Sequence, residues 1–450
     1  MTNTKNKGRS RKTRTSKKNK ESPPASPIVS AEKKRDGSDN ASDSDITSEK
    51  QPLVKSTETS ATSQGLPLAE GGTLYADLGI PINCVATVPD DPTLFVVGGG
   101  GGPGRSGVHN KLLLQRIDTD ASTLTTVAEY CFGTEEDAPT CISANVRDGL
   151  LVCGANHTNE LVKQGKNRST RVFKYDVEKA TLECVREKKV MDSLTMTDYQ
   201  RVAVLSPKGD HLLTGCTDGS LHLLEFPSLE NTMAPMRSEN GELLAASFNE
   251  TGGQFAVITA KDVSVFTTRN GKGVQRIECP VYKNNVPCRF RSGLYGRGPT
   301  KGFYYTVLNT VNRDQSLVAK WKTQSWETES FRAISKFPII AVAMHPHGAY
   351  LAVATTDNAV IIVDAHSLRI LARTPDMHSF AITSLAFTSD GRHLISGSID
   401  NTCCVMPIPE TFPQLKPYFL FALLGSVLAV LLAIVYYLQT SEAMLNKDEL

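Results

Sequence analysis

Several things are missing from this chain. No Trp-Asp dipeptide occurs, tryptophan appears only twice, and no Phe, Trp or Tyr precedes Tyr75. A stretch without aromatics buries too little apolar surface to offset its ordering entropy. Residues 1–72, rich in Ser, Thr, Pro and mixed charge, therefore read as a disordered tail and linker. Acid is absent from the first twenty residues, which carry nine Lys or Arg. Such a run is most simply a solvated tail, although acidic lipid head groups or nucleic acid also suit it. Over the whole chain the formal charge is only +2. The folded part thus has no general attraction for polyanions, and nucleic acid is not an expected partner. An apolar N-terminal h-region is lacking, which argues against a secretory leader. Ten cysteines show no C-x-x-C spacing and no paired histidine ligands, so zinc is not expected.

Long apolar runs are also absent until residues 418–438, "YFLFALLGSVLAVLLAIVYYL", which hold no charge over 21 positions. At helical rise that length matches a hydrocarbon core of about 30 Å. Tyr418, Tyr436 and Tyr437 suit the aromatic belts at its ends, and Lys416 precedes it. Residues 417–438 are expected to form a transmembrane helix, followed by a luminal tail at 439–450. That tail ends in Lys447, Asp448, Glu449 and Leu450, a tetrapeptide read by the retrieval receptor of the endoplasmic reticulum. With a luminal C-terminus and one span, everything before residue 417 faces the cytosol. The cysteines should then be reduced thiols, mostly buried, and the sequons at Asn156, Asn167 and Asn249 should carry no sugar.

Between 73 and 410 the sequence repeats loosely. Seven segments begin with a short apolar strand near Cys84, Cys141, Arg201, Leu244, Arg289, Ala341 and Ser384, spaced 43 to 60 residues apart. That spacing straddles the blade length of a β-propeller. The clearest copies cover 201–228, 341–367 and 384–409, each running strand, Gly-containing or Asp-Gly turn, strand, second turn and strand. Only His378 and Asp400 occupy the places of the structural His and Asp of WD repeats. The last copy stops after three strands, and a ring without open edges needs a fourth, for which "TLYADL" at 73–78 is the natural source. The expected fold is all-β, a seven-bladed WD-repeat-like propeller. Two β-sandwiches are the rival, but they require no common repeat.

"FVVGGGGGPGRSGVHNK" at 95–111 stands out, because five consecutive glycines cost conformational entropy on folding. Gly102 to Gly107 literally fit G-x-G-x-x-G. A dinucleotide site needs a helix to follow, whereas "VHNKLLLQRID" reads as a strand and no Gly-Lys-Ser/Thr follows. Glycine here can instead turn backbone carbonyls inward, and a ring of such oxygens holds a desolvated alkali cation. His345 and His347 in "MHPHG" sit in a blade turn and make a poor metal pair. No His, Asp and Ser have nucleophile-like spacing, so a propeller enzyme finds no support, and no small-molecule substrate is expected. An ER-tethered scaffold is the main alternative that the fold alone allows.

The loop, taken with the architecture, resembles the Sec-twelve family, also called prolactin regulatory element-binding proteins. Those are ER-membrane exchange factors for the Sar-type small GTPase that starts COPII coat assembly. Gly99, Gly100, Gly101 and Gly102 match the family's glycines, and Pro103, Gly104, Arg105 and Ser106 its four variable positions. Gly107, Val108, His109 and Asn110 match the closing Gly-Ile/Val-x-Asn. "DAPTCIS" at 137–143, "ITSLAF", "GRHLISGSID" and the C-terminal span extend the likeness over most of the chain. The resemblance implies that Asn110 is central to exchange and that Val108 offers an apolar contact to the GTPase. Residues 99–107 and His109 would complete the partner-binding loop. It further implies a potassium ion held mainly by backbone carbonyls, with Gly104, Gly107 and Asn110 as ligands. Such a protein performs no covalent chemistry. The long basic N-terminal tail and very short luminal end depart from the better-known members.

Overall fold

The computed structural model describes residues 72–103, 106–119, 121–146, 148–412 and 417–445, with side chains placed in the last stretch only over 424–438. The tail at 1–71, Gly104, Arg105 and the terminal 447–450 therefore lie outside the described residues.

Seven antiparallel sheets follow one another along the chain. In the first blade β2 (Ile82–Thr87), β3 (Leu94–Gly99), β4 (Lys111–Asp118) and β5 (Thr123–Cys131) pair in order, after a separate strand β1 (Leu74–Asp77). In the second, β6 (Cys141–Ala144), β7 (Leu150–Gly154), β8 (Thr170–Asp176) and β9 (Thr181–Lys188) do the same, with a short helix α1 (Asn159–Lys163) between β7 and β8. The remaining blades occupy 200–237, 245–278, 281–335, 339–374 and 382–407. The one over 281–335 has five strands rather than the expected four, because the two-residue strand Val281–Tyr282 folds back on its own inner strand.

Burial explains the strand pattern. β3 and β7 are second strands with both faces covered, and every residue of LFVVGG and LLVCG is buried. They consequently read as continuous apolar runs instead of alternating ones. The outer β5 and β9 alternate or face solvent. Apolar clusters fill the gaps between neighbouring blades, as where Leu94, Val96, Leu112 and Leu114 of the first blade meet Leu151, Cys153 and Phe173 of the second. The cluster of Ile82, Phe95, Val97, Ile395, Cys403 and Val405 joins the last blade to the first and closes the ring. Backbone pairing also closes the ring, since β1 pairs with the final strand from Leu74↔Val405 to Asp77↔Thr402. The fourth strand of the last blade thus comes from the N-terminal side, as the missing strand of the final repeat required.

The beginnings of the inner strands lie beside the ends of the second strands, as Ile82↔Gly99 and Cys141↔Gly154 show. Residues 100–110, between β3 and β4, and 155–169, between β7 and β8, therefore emerge on one face. At that face side chains stitch neighbouring blades together: Thr383 Oγ1 donates to Ile82 O at 2.6 Å, Asn83 Nδ2 to Pro139 O at 3.1 Å, and Asn309 Nδ2 to Ile339 O at 2.9 Å.

The expected membrane span meets a different finding. A helix runs over Pro417–Leu445 and its placed side chains, 424–438, are exposed. Among the described residues, however, no helix is long and apolar enough to cross a membrane.

Candidate functional site

Each glycine of the run has its own reason for lacking a side chain. A Cβ on Gly99 would lie 2.0 Å from Pro81 O, one on Gly100 2.2 Å from Asn110 Oδ1, and one on Gly101 1.9 Å from Ser106 Oγ. Gly100 also adopts φ +142° and Gly102 φ +79°, regions that L side chains rarely enter. The run is a place where main chain is pressed against main chain. Gly100 N donates to Pro81 O at 2.9 Å, anchoring the loop's start to the residue before β2.

Asn110 closes the loop. It is only 4% exposed, and its side chain is fully engaged. Oδ1 accepts from Gly102 N at 3.0 Å, while Nδ2 donates to Gly102 O at 3.0 Å and also to Glu136 O. Asn110 O accepts from Phe132 N at 2.9 Å. An amide suits this place because it carries an acceptor and two donors, the combination a doubly bonded glycine and a further carbonyl demand. Val108, by contrast, points outward with 36% exposure, and Ser106 Oγ accepts from Val108 N at 3.3 Å to shape the tip. Gly107 and His109 are exposed. The G-x-G-x-x-G match meets no helix, for the chain passes directly into the strand β4.

Glu136, which receives the Asn110 amide, belongs to the connection between β5 and β6. Its carboxylate accepts from Gly133 N at 2.7 Å and from Arg171 Nη2 at 2.9 Å. Burial works to raise the Glu136 carboxyl, but the Arg171 guanidinium and the Gly133 amide hold it below its usual range. Arg171, at the start of β8, is 1% exposed. Besides Glu136 it faces Glu187 at 3.5 Å and His157 Nδ1 at 3.1 Å, and it lies 5.2 Å from the centre of the Phe132 ring. Burial, then Arg171, depress the basicity of His157. A buried guanidinium is tolerable only with this many partners, so Arg171 fixes Glu136 and, through it, Asn110.

The second long connection, 155–169, flanks this network. Asn156 and Asn167 are 4% and 1% exposed, and Asn167 Nδ2 donates to Asn156 Oδ1 at 2.9 Å. Asn156 Nδ2 reaches Asp198 O at 2.9 Å, tying the connection to the third blade. Burial closes both of these sequons to sugar in the folded protein, leaving Asn249 as the informative one.

Around the loop the available ligands are hard oxygens: main-chain carbonyls, Asn110 Oδ1 and the Asp137 carboxylate, whose Oδ1 would lie 3.8 Å from a Cβ on Gly102. Burial raises the proton affinity of Asp137, which also marks a place that welcomes positive charge. This donor set fits a hard cation and contains no soft ligand. Elsewhere among the described residues no group of three or more His, Cys, Asp or Glu gathers to hold a metal. His345 is buried, with Nε2 3.2 Å from Gly391 O.

The last blade carries the expected structural pair. His378 Nδ1 lies 2.7 Å from Thr402 Oγ1 and Nε2 2.8 Å from Ser396 Oγ, while Asp400 accepts from Ser379 N at 2.8 Å and Thr402 N at 2.9 Å. Residues 370–405 match the WD domain, G-beta repeat family, so the match covers this network. Over longer stretches the chain is 26% identical to "Guanine nucleotide-exchange factor SEC12" of Candida glabrata, across 74% of this chain and 72% of that protein. It is 24% identical to "SEC12-like protein 2" of Arabidopsis thaliana, across 66% of this chain and 72% of that one. The chain is similar to proteins of the Sec-twelve family over about two thirds to three quarters of its length. Against "Putative guanine nucleotide-exchange factor SED4" of Saccharomyces cerevisiae identity is 23%, covering 81% of this chain and 33% of that longer protein. Sequence reasoning singled out the loop but missed Glu136, Arg171 and Glu187. An arginine amid a strand gives no sign that it is buried. "DAPTCIS" bordered the spot without indicating why.

Proposed function

We propose that this protein is a guanine nucleotide-exchange factor of the Sec-twelve family that promotes GDP release from a Sar-type small GTPase at the ER membrane and so starts COPII coat assembly. The observation that carries the proposal is a stiffly held loop with an outward valine, on a chain whose relatives bear the name of exchange factors. An exchange factor makes no bonds; it binds the nucleotide-free GTPase more tightly than the loaded one. By linkage, nucleotide is weakened by the same factor, tenfold for each 1.4 kcal/mol.

In this reading Val108 packs against apolar residues of the GTPase, flanked by the glycines, Pro103, Ser106 and His109. Asn110 serves from beneath as the residue that sets the loop's shape. Potassium would be held by loop oxygens, those of Gly107 and Asn110 among them, with Asp137 supplying negative charge; Gly104 lies outside the described residues. A bound cation of this kind neutralises converging carbonyl dipoles and stiffens the chain around them. Residues 418–438 anchor the protein in the ER membrane, the propeller faces the cytosol, and Lys447 to Leu450 engage a KDEL-type retrieval receptor. The uncharged apolar run at 418–438 supports the anchor.

The test is GDP release from a purified Sar-type GTPase in the presence of the full-length chain. Acceleration is expected, and faster in potassium than in sodium. No acceleration would leave a tethered scaffold as the reading, and equal rates in the two salts would remove the ion.

A further inference from the structure

The centre of the ring offers a second site, on the face that carries the loop. In five blades the inner strand has a bulge, at the second residue in four and mid-strand in the fifth, and the bulged residues are Asn83, Arg201, Arg291, Ile340 and Thr383. A bulge re-aims the side chain it frees from the ladder. All five line one cavity of about 370 Å³ at the axis. Thr140 and Leu244 complete the circle in the other two blades. The mouth of the channel is therefore a ring of register-equivalent side chains, two of them guanidinium groups.

Charge at this mouth is one-sided. No acidic residue lines the cavity. Glu242 approaches from outside it and pairs with Arg201. Arg291 makes no hydrogen bond or ion pair with any described residue. Asn83 Nδ2 and Thr383 Oγ1 donate to carbonyls of the neighbouring blades. We propose that this mouth is an anion site, taking one compact phosphate-type oxyanion between Arg291 and Arg201. Glu242 acts on Arg291 only at a distance; a largely desolvated guanidinium with no hydrogen-bonded acceptor is costly, and planar donor forks match tetrahedral oxyanions. Burial, and next Arg201, lower the basicity of Arg291, the strain that a bound anion relieves. The anion is either a free ion or the terminal phosphate of a small metabolite.

The experiment follows 31P line broadening of inorganic phosphate with the purified full-length chain at low ionic strength, with no GTPase present, so its outcome is independent of the exchange proposal. Wild-type protein should broaden the signal saturably, and phosphate should raise its melting temperature. Arg291→Gln should weaken binding at least tenfold and abolish that thermal shift, whereas Arg369→Gln, on an exposed turn, should change neither. Arg201→Gln provides a second variant should Arg291→Gln fail to fold, and it too should weaken binding. Displacement of phosphate by GDP would identify a phosphate ester as the source; persistence of phosphate would identify the free ion. Absence of saturable binding to wild type, or wild-type binding by the folded arginine variants, would overturn the site.

Discussion

Replacing Asn110 tests the loop most directly. Asn110→Ala removes three side-chain hydrogen bonds, two to Gly102 and one to Glu136 O. At about 1 kcal/mol net for each, the ordered loop loses roughly 3 kcal/mol relative to its open forms. If exchange needs the ordered loop, the rate at subsaturating protein should fall roughly 30- to 150-fold, since 1.4 kcal/mol is tenfold. The propeller core is untouched, so the melting temperature should drop by only a few degrees. Asn110→Asp sharpens the argument. It preserves size and the acceptor facing Gly102 N, but it turns the two donations into contacts between a carboxylate and two carbonyl oxygens. Exchange should fall as far as with alanine. GDP release followed by fluorescent nucleotide, with melting curves on the same samples, provides both readouts. Either variant exchanging at the wild-type rate while folded would refute the shape-holding role.

Three further outcomes follow from the same geometry. Arg171→Met leaves Glu136 and Glu187 facing an apolar chain and should cost about 3 kcal/mol in denaturant unfolding; it should also slow GDP release without touching the loop. Gly100→Ala places a Cβ 2.2 Å from Asn110 Oδ1 at φ +142° and should abolish exchange, whereas Gly107→Ala, at φ +80° with nothing within 4 Å, should cost only about 1 kcal/mol of loop order. Burial lowers the basicity of His157, His222, His345, His378 and His393 in the folded chain. The unfolded chain then takes up protons near pH 6.5 that the native state refuses, so stability should fall as pH drops through 6.5, by at most about 1.4 kcal/mol per pH unit for each histidine. Asp400 adds a later loss. Burial opposes its ionisation, but the Thr402 and Ser379 donors hold it down to about 2, so its stabilisation is complete above about pH 3.9 and disappears toward pH 2. A urea midpoint unchanged between pH 7 and 5 would contradict the histidine assignment.

The blades were legible because their second strands are covered on both faces, and runs such as LFVV and LLVC record that directly. The closing strand was legible for a topological reason, as a ring whose final copy has three strands must borrow one. What escaped notice depends on chain segments far apart in sequence. Asn110 meets Glu136 through a carbonyl, which every residue possesses and no residue advertises. The burial of Arg171 requires Phe132, Glu136, His157 and Glu187 to converge from the first two blades and the connections beside them. The added strand Val281–Tyr282 is two residues long and carries no pattern of its own.

The glycine run illustrates the difference between composition and cause. Read as composition it suggests freedom, yet Gly99, Gly100 and Gly101 each face an atom within 2.2 Å of where a Cβ would stand. Glycine is needed there because backbone and side chains already fill the space, and the entropy lost on folding is offset by contacts no other residue allows. Rigidity of the loop is therefore assembled from outside it, by Pro81 on one side and by Asn110, Glu136 and Arg171 on the other. Substitutions in that supporting chain should consequently weaken exchange even though none of them touches the surface proposed to meet a GTPase.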